Sequence, residues 1–227
     1  MDFIFEGRPS DSPFVEMIWR TRSEGTGTFI SQAETHSEIV VMKYQGKTRL
    51  TVRGPETKAT PADVTWPEAE YLGIVFKLGV FMPHLPPEKV KDRNDLTLPE
   101  VTNQSFWLLG MAWQFPTYDN ADTFVDRLVR EELLVREPIV EAALQGHVKD
   151  LSLRSVQRRF LRATGLTHNT VYQIERARQA AALLRQGIPI LDTADQLGYA
   201  DQPHLTRALK RFVGQTPAQL LRLNQPS

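Results

Sequence analysis

The chain has 227 residues, enough for one large domain or two modest ones with a sizeable core. Hydrophobic residues make up 41% and charged residues 24%, an ordinary globular balance, and the lack of cysteine excludes disulfides, thiolate metal sites and cysteine nucleophiles. The formal net charge of zero covers two unlike parts: residues 151–227 carry eleven Lys and Arg against four Asp and Glu, and the remaining 150 residues carry 16 basic and 23 acidic groups. Such asymmetry fits a basic module that meets a polyanion, joined to an acidic module with another task. A merely solvated basic face fits it as well.

At the N-terminus, MDFIFEGRPSDSP lacks a basic region followed by an apolar run, and no stretch approaches the roughly 18 apolar residues of a membrane span. A cytoplasmic protein with no membrane partner is expected. Residues 14 to about 80 read as β structure. FVEMIWRTR and GTFIS are short strands, EIVVMKYQGKTRLTVRG is a hairpin around Gln-Gly, and AEYLGIVFKLG is a further apolar, β-branched run. Strands with Gly and Pro turns and no intervening helix favour a sandwich or barrel. MPHLPPEK reads as a loop at the edge of this domain, and the aromatic-rich SFWLLGMAWQFP as a helix.

From Ala121 the pattern turns helical. ADTFVDRLVREELL has apolar residues at 124, 125, 128 and 129, and Pro138 opens PIVEAALQG, which Gly146 ends. Ser152 is placed to cap LRSVQRRFLRAT, and Gly165 to terminate it. Thr167 starts a long helix closed by Gly187, Pro189 opens ILDTADQL, Gly198 turns the chain, and Asp201 caps QPHLTRALKRF. Ile190, Ala194 and Leu197 make one apolar stripe; Leu205, Ala208, Leu209 and Phe212 make the next at i, i+3, i+4, i+7. Opposite them lie Thr206, Arg207 and Lys210, with Gln202 at the helix start, residue types that read base edges or hold phosphates. An earlier block repeats the design, with Leu153, Val156 and Phe160 inward and Arg154, Gln157 and Arg158 outward. One such helix reads equally as a packed surface helix; two favour DNA.

From LSLRSVQRRFLRATGLT through RARQAAALL to GYADQPHLTRALKRFVGQTPAQLLR, the chain resembles the C-terminal DNA-binding domain of AraC-type transcriptional regulators. That resemblance covers about a third of the chain. It implies two helix-turn-helix units joined by a linker helix, with both recognition helices in adjacent major-groove segments about 34 Å apart. Arg154, Gln157 and Arg158 would line the first recognition helix, and Gln202, Thr206, Arg207 and Lys210 the second. Two positions depart from the family pattern. The turn before the first recognition helix, HVKDLS, has no glycine, and Pro203 occupies a polar position on the second reading face. The DNA competence of the first unit is therefore left open.

Family members often carry an N-terminal cupin-like sensor. The resemblance thus implies an α+β chain, with a β-sandwich or cupin-like sensing domain over residues 1–120 and an all-α domain with two helix-turn-helix units over 121–227. The implied partners are double-stranded DNA, an unknown small-molecule effector and RNA polymerase, with monomer and homodimer both open. A fragment from about residue 121 would bind duplex DNA by itself. Trp19, His36, Trp107 and Trp113 are candidates to line an effector pocket, with core packing as the rival role for the tryptophans. His36, Glu38 and His84 lack the His-x-His spacing of a cupin metal site, so no metal or other cofactor is expected and the chain does not read as an enzyme. A cupin-like enzyme fused to a helical DNA-binding domain is the alternative. Alkyl-transfer repair would need a nucleophilic cysteine, and there is none.

Overall fold

The structure, a computed structural model, describes residues 3–148 and 151–222. In chain order come β1 (Phe3–Arg8), β2 (Val15–Ser23), β3 (Gly27–Ser31), β4 (Glu38–Tyr44), β5 (Lys47–Arg53), β6 (Thr60–Val64), β7 (Glu70–Phe76), β8 (Val80–Phe81), a 3-10 turn (Pro87–Lys89), β9 (Leu96–Thr97), β10 (Glu100–Thr102), β11 (Ser105–Leu108) and β12 (Met111–Gln114). Then follow α1 (Ala121–Arg130), a short β13 (Val135–Arg136), α2 (Pro138–Leu144), α3 (Leu153–Thr164), α4 (His168–Arg185), α5 (Ile190–Gln196), α6 (Gln202–Phe212) and α7 (Pro217–Arg222). Strands thus precede helices in an α+β chain.

These elements form two compact units that do not follow sequence order. The first comprises Met1–Gly27, His36–Pro55 and Asp63–Thr167; the second comprises Thr28–Thr35, Glu56–Ala62 and His168–Ser227. The linear boundary expected after residue 120 falls inside the first unit, which also holds α1, α2 and α3.

In the first unit an antiparallel sheet runs β1-β2-β7-β4-β5-β9. Side chains alternate across it, so Ile18, Ile74, Ile39 and Val52, paired neighbour to neighbour, form a buried row on one face. An irregularity between Val15 and Met17 shifts the register, so both Val15 and Ile18 point inward despite their odd spacing. At the β4–β5 turn, Gln45 and Gly46 take φ of 47° and 76°, the paired left-handed conformations that a two-residue hairpin needs.

The segment 105–116, expected as a helix, is instead the β11–β12 hairpin of a three-stranded sheet with β10. Its turn falls at Leu109 and Gly110, with φ of 46° and 82°. Either side of it Phe106, Leu108 and Trp113 are buried while Trp107 is 46% exposed, the two-residue period of a strand. Both sheets and α1, through Phe124, Val125 and Leu128, contribute to one core. That is the layered construction of a sandwich closed by a helix.

The second unit contains α4 to α7 and most of the paired strands β3 and β6. Val171, Ile174, Ala177, Ala180, Ala181 and Leu184 make the buried stripe of α4, and its alanines let neighbouring helices approach closely. Leu205, Leu209, Phe212 and Leu220 fill the same unit from α6 and α7.

Candidate nucleic-acid interface and ligand cleft

The second helix-turn-helix is complete within the second unit. Pro189 precedes α5, where Thr193 and Ala194 are buried, and Gly198 takes the left-handed φ of 67° that a tight interhelical turn demands. Asp201 caps α6, its carboxylate accepting the His204 N–H at 2.6 Å. Pro203 sits in the first turn, where its missing N–H would have no intrahelical partner anyway. Tyr199 is buried under α6 with its ring edge-on to His204 at 5.2 Å. Burial pushes the Tyr199 phenol above its ordinary pKa. From α4, the Arg176 guanidinium lies 4.1 Å from the Tyr199 ring centroid and donates to the Gly198 carbonyl at 3.4 Å, tying the turn to the long helix.

With Leu205, Ala208, Leu209 and Phe212 buried, the opposite face of α6 is set free. Gln202, Arg207 and Lys210 are exposed and Thr206 is half-buried, as the helical spacing requires. Among the described residues neither Arg207 nor Lys210 forms an ion pair, so both cations are available to an anionic partner.

The first block belongs to the other unit. Ser152 caps α3 by accepting the Ser155 N–H at 3.3 Å, and Gly165 ends it at φ 69°. Glu137 caps α2 and also holds Arg159 of α3 at 2.6 Å, which raises the already high pKa of that guanidinium. Arg154, Gln157 and Arg158 are all exposed on α3. Phe160 is buried and Val156 half-buried as expected, but Leu153 is 81% exposed, because it sits in the first helical turn beside the cap. In the turn that departs from the family pattern, residues 149 and 150 lie outside the described residues.

The first unit also contains a cleft of about 920 Å³. Arg20, Val41, Lys43 and Leu72 come from the inward face of the large sheet, and Gln104 and Tyr118 from the chain around the smaller one. Arg20 pairs with Glu6 at 2.6 Å and lies 4.5 Å from the centroid of the Tyr118 ring. Lys43 sits 3.8 Å from Glu70. The lining thus alternates charge with apolar and aromatic surface.

Of the four residues expected to line an effector pocket, none borders this cleft. Trp19 lies on the other face of the sheet, over Gly73, where an added Cβ would stand 2.0 Å from the indole, and its Nε1 donates to Glu38 at 3.3 Å. His36 is half-buried just before β4. Trp107 faces outward, while Trp113 is 1% exposed in the core with Arg127 4.1 Å from its ring centroid. The structure does not bring the four together. A readable signal marked the cleft instead: Arg20 and Arg22 stand two and four residues beyond buried Ile18, as charges in inward positions of an alternating strand. No group of three or more His, Cys, Asp or Glu among the described residues is placed to hold a metal ion.

Residues 149–223 match a protein family described as a helix-turn-helix domain. Over 89 residues, 38% of this chain, the sequence is 33% identical to the HTH-type transcriptional regulator RipA of Corynebacterium glutamicum. The match spans 27% of that protein, so the chain covers only about a quarter of the length of its curated relative. Among solved structures, ToxT from Vibrio cholerae O395 superposes with a TM-score of 0.40 at 8% identity, covering 98% of this chain and 99% of its own. ToxT bound to (E)-4-(8-methylnaphthalen-1-yl)but-3-enoic acid gives 0.42 at 9% identity, over 97% and 99% of the two chains.

Proposed function

We propose that this chain, whose residues 149–223 match a helix-turn-helix family, is a sequence-specific transcriptional regulator of the AraC type controlled by a small molecule. The observation that carries the reading is α6, a capped helix with a packed apolar face and, opposite it, Arg207 and Lys210, exposed and outside any ion pair among the described residues. In the major groove Gln202 and Thr206 hydrogen-bond base edges, Arg207 engages a guanine through two N–H groups, and Lys210 holds a phosphate. Arg154, Gln157 and Arg158 on α3 provide a second set of contacts. One chain then reads two boxes about one helical turn apart, whether it acts as a monomer or a homodimer.

The cleft of the first unit is the proposed effector site. Its charged lining suits a polar or amphipathic molecule that can replace the Arg20–Glu6 and Lys43–Glu70 pairings. The protein acts in the cytoplasm on promoter DNA, where RNA polymerase is its further partner, and it catalyses no reaction. No described helix is long and apolar enough to cross a membrane.

Selection from randomised duplexes with the full chain tests the reading. A recurrent two-box motif is expected; recovery of unselected sequence would overturn it.

A further inference from the structure

We infer that residues 28–35 and 56–62, although distant in sequence from the helix-turn-helix, position its recognition helix by bracing the C-terminal end of α6. This rests on reading α6 as the DNA-recognition helix. A helix leaves its last carbonyls without intrahelical donors. At the end of α6 two of them are taken by the N-terminal segments: the Ala59 N–H donates to the Arg211 carbonyl at 2.7 Å, and the Ala33 N–H to the Phe212 carbonyl at 2.8 Å. The N–H groups of Val213 and Gly214 both turn back to the Leu209 carbonyl, at 2.8 and 2.9 Å. Gly214 allows the close approach, since at φ 76° a Cβ there would stand 2.5 Å from Ile30 Cγ2 and 3.1 Å from Ala59 Cβ.

The brace is itself tied down. Glu34 and Glu56 exchange backbone hydrogen bonds of 2.9 and 2.8 Å. The Glu56 carboxylate, in a residue only 5% exposed, accepts from Ser31 at 3.1 Å and Thr60 at 3.3 Å. Two side-chain links reach α4: Arg178 to Glu34 at 2.8 Å and the Thr35 hydroxyl to Glu175 at 2.9 Å. The same α4 holds the start of the motif through Arg176 on Tyr199 and Gly198. The recognition helix is therefore gripped at both ends, by α4 at its entrance and by the two N-terminal segments at its exit.

The test uses the full chain. Ala59→Pro deletes the N–H that serves the Arg211 carbonyl, and Ala59→Gly retains it. Ala59→Pro should bind the selected duplex roughly three- to tenfold more weakly, the span of one net hydrogen bond. Its salt dependence should match wild type, because no phosphate contact is lost. Amides of residues 206–213 should exchange with solvent faster than in wild type, while those of β4 and β7 keep their protection. Ala59→Gly should stay within about twofold of wild-type affinity. If the proline prevents folding, the double variant Glu34→Gln, Thr35→Val cuts the side-chain links to α4 and should shift affinity and exchange the same way. Wild-type affinity in a folded Ala59→Pro chain, or unchanged exchange at 206–213, overturns the brace. A wild-type chain that selects no duplex overturns the DNA reading instead, and exchange in α6 then decides the brace alone.

Discussion

Arg207 and Arg158 are both exposed cations on capped helices, and the contacts proposed for them on DNA differ. If Arg207 reads a guanine through two hydrogen bonds, Arg207→Ala should cost about 1–3 kcal/mol at that base and relax the preference there. Arg158→Ala, if its contact is to phosphate, should weaken all sequences about equally and lower the salt slope by about one. Selection with each variant distinguishes them, and an unchanged motif with undiminished affinity for Arg207→Ala would remove that residue from the reading face. His84 gives a prediction of another kind. Its Nε2 is buried without a hydrogen-bond partner among the described residues, and burial lowers its pKa below the ordinary 6.5. Below about pH 6.5 the unfolded chain therefore takes up a proton that the folded chain refuses, so stability falls as pH drops. Urea midpoints between pH 7.5 and 5.5 should decline more steeply for wild type than for His84→Gln; parallel profiles would count against this.

Each well-delimited helix owes its ends to a few local groups, and α6 shows the energetic weight of one. Asp201→Ala removes the acceptor for the His204 N–H and should destabilise by about 0.5–2 kcal/mol, whereas Asp201→Asn keeps most of that capacity. Equal unfolding midpoints for the two variants would deny the cap its role. Because caps and stops are local, Ser152, Gly165, Gly187 and Asp201 made α3, α4 and α6 legible in the sequence, and Gln45-Gly46 did the same for the β4–β5 hairpin. The hairpin at 105–116 was hidden because Leu109 and Gly110 interrupt two four-residue strands whose combined apolar content mimics a helix. The cleft was obscured for a different reason. Trp113 fills the core and Trp19 covers Gly73, while charges at inward positions line the open space. The brace on α6 had no signal at all, since Ala33 and Ala59 act through backbone N–H groups that almost any residue would supply.

At the scale of the molecule, the eleven basic residues in 151–227 should make DNA affinity fall steeply with salt through counterion release. A titration from 50 to 200 mM salt with the full chain checks this, and an affinity indifferent to salt would contradict the interface. The proposed effector control has its own measurement. Thermal-shift screening of the full chain against small polar and amphipathic compounds should yield a stabilising ligand that also changes DNA affinity. Tyr118→Ala, which removes the ring beneath Arg20, should abolish that stabilisation. Strand β2 precedes residues 28–35 in the chain and β7 follows residues 56–62, so the strands lining the cleft flank the two segments that brace α6 in sequence.

The discontinuous make-up of the second unit also bears on how the chain is born. During synthesis residues 28–35 and 56–62 leave the ribosome long before α6 exists to receive them; Glu34 alone lies 144 positions ahead of its partner Arg178. Folding of the second unit must therefore close very long loops, which slows it relative to a helical bundle built from neighbours. Until then the Ala33 and Ala59 N–H groups lack the Phe212 and Arg211 carbonyls they serve in the folded chain, and open backbone donors are a feature by which nascent β segments stick to one another. A ribosome-bound chain halted before Gln202 should consequently recruit chaperone or aggregate more readily than one halted after Arg222, which makes α6 the late guard of segments made early in synthesis.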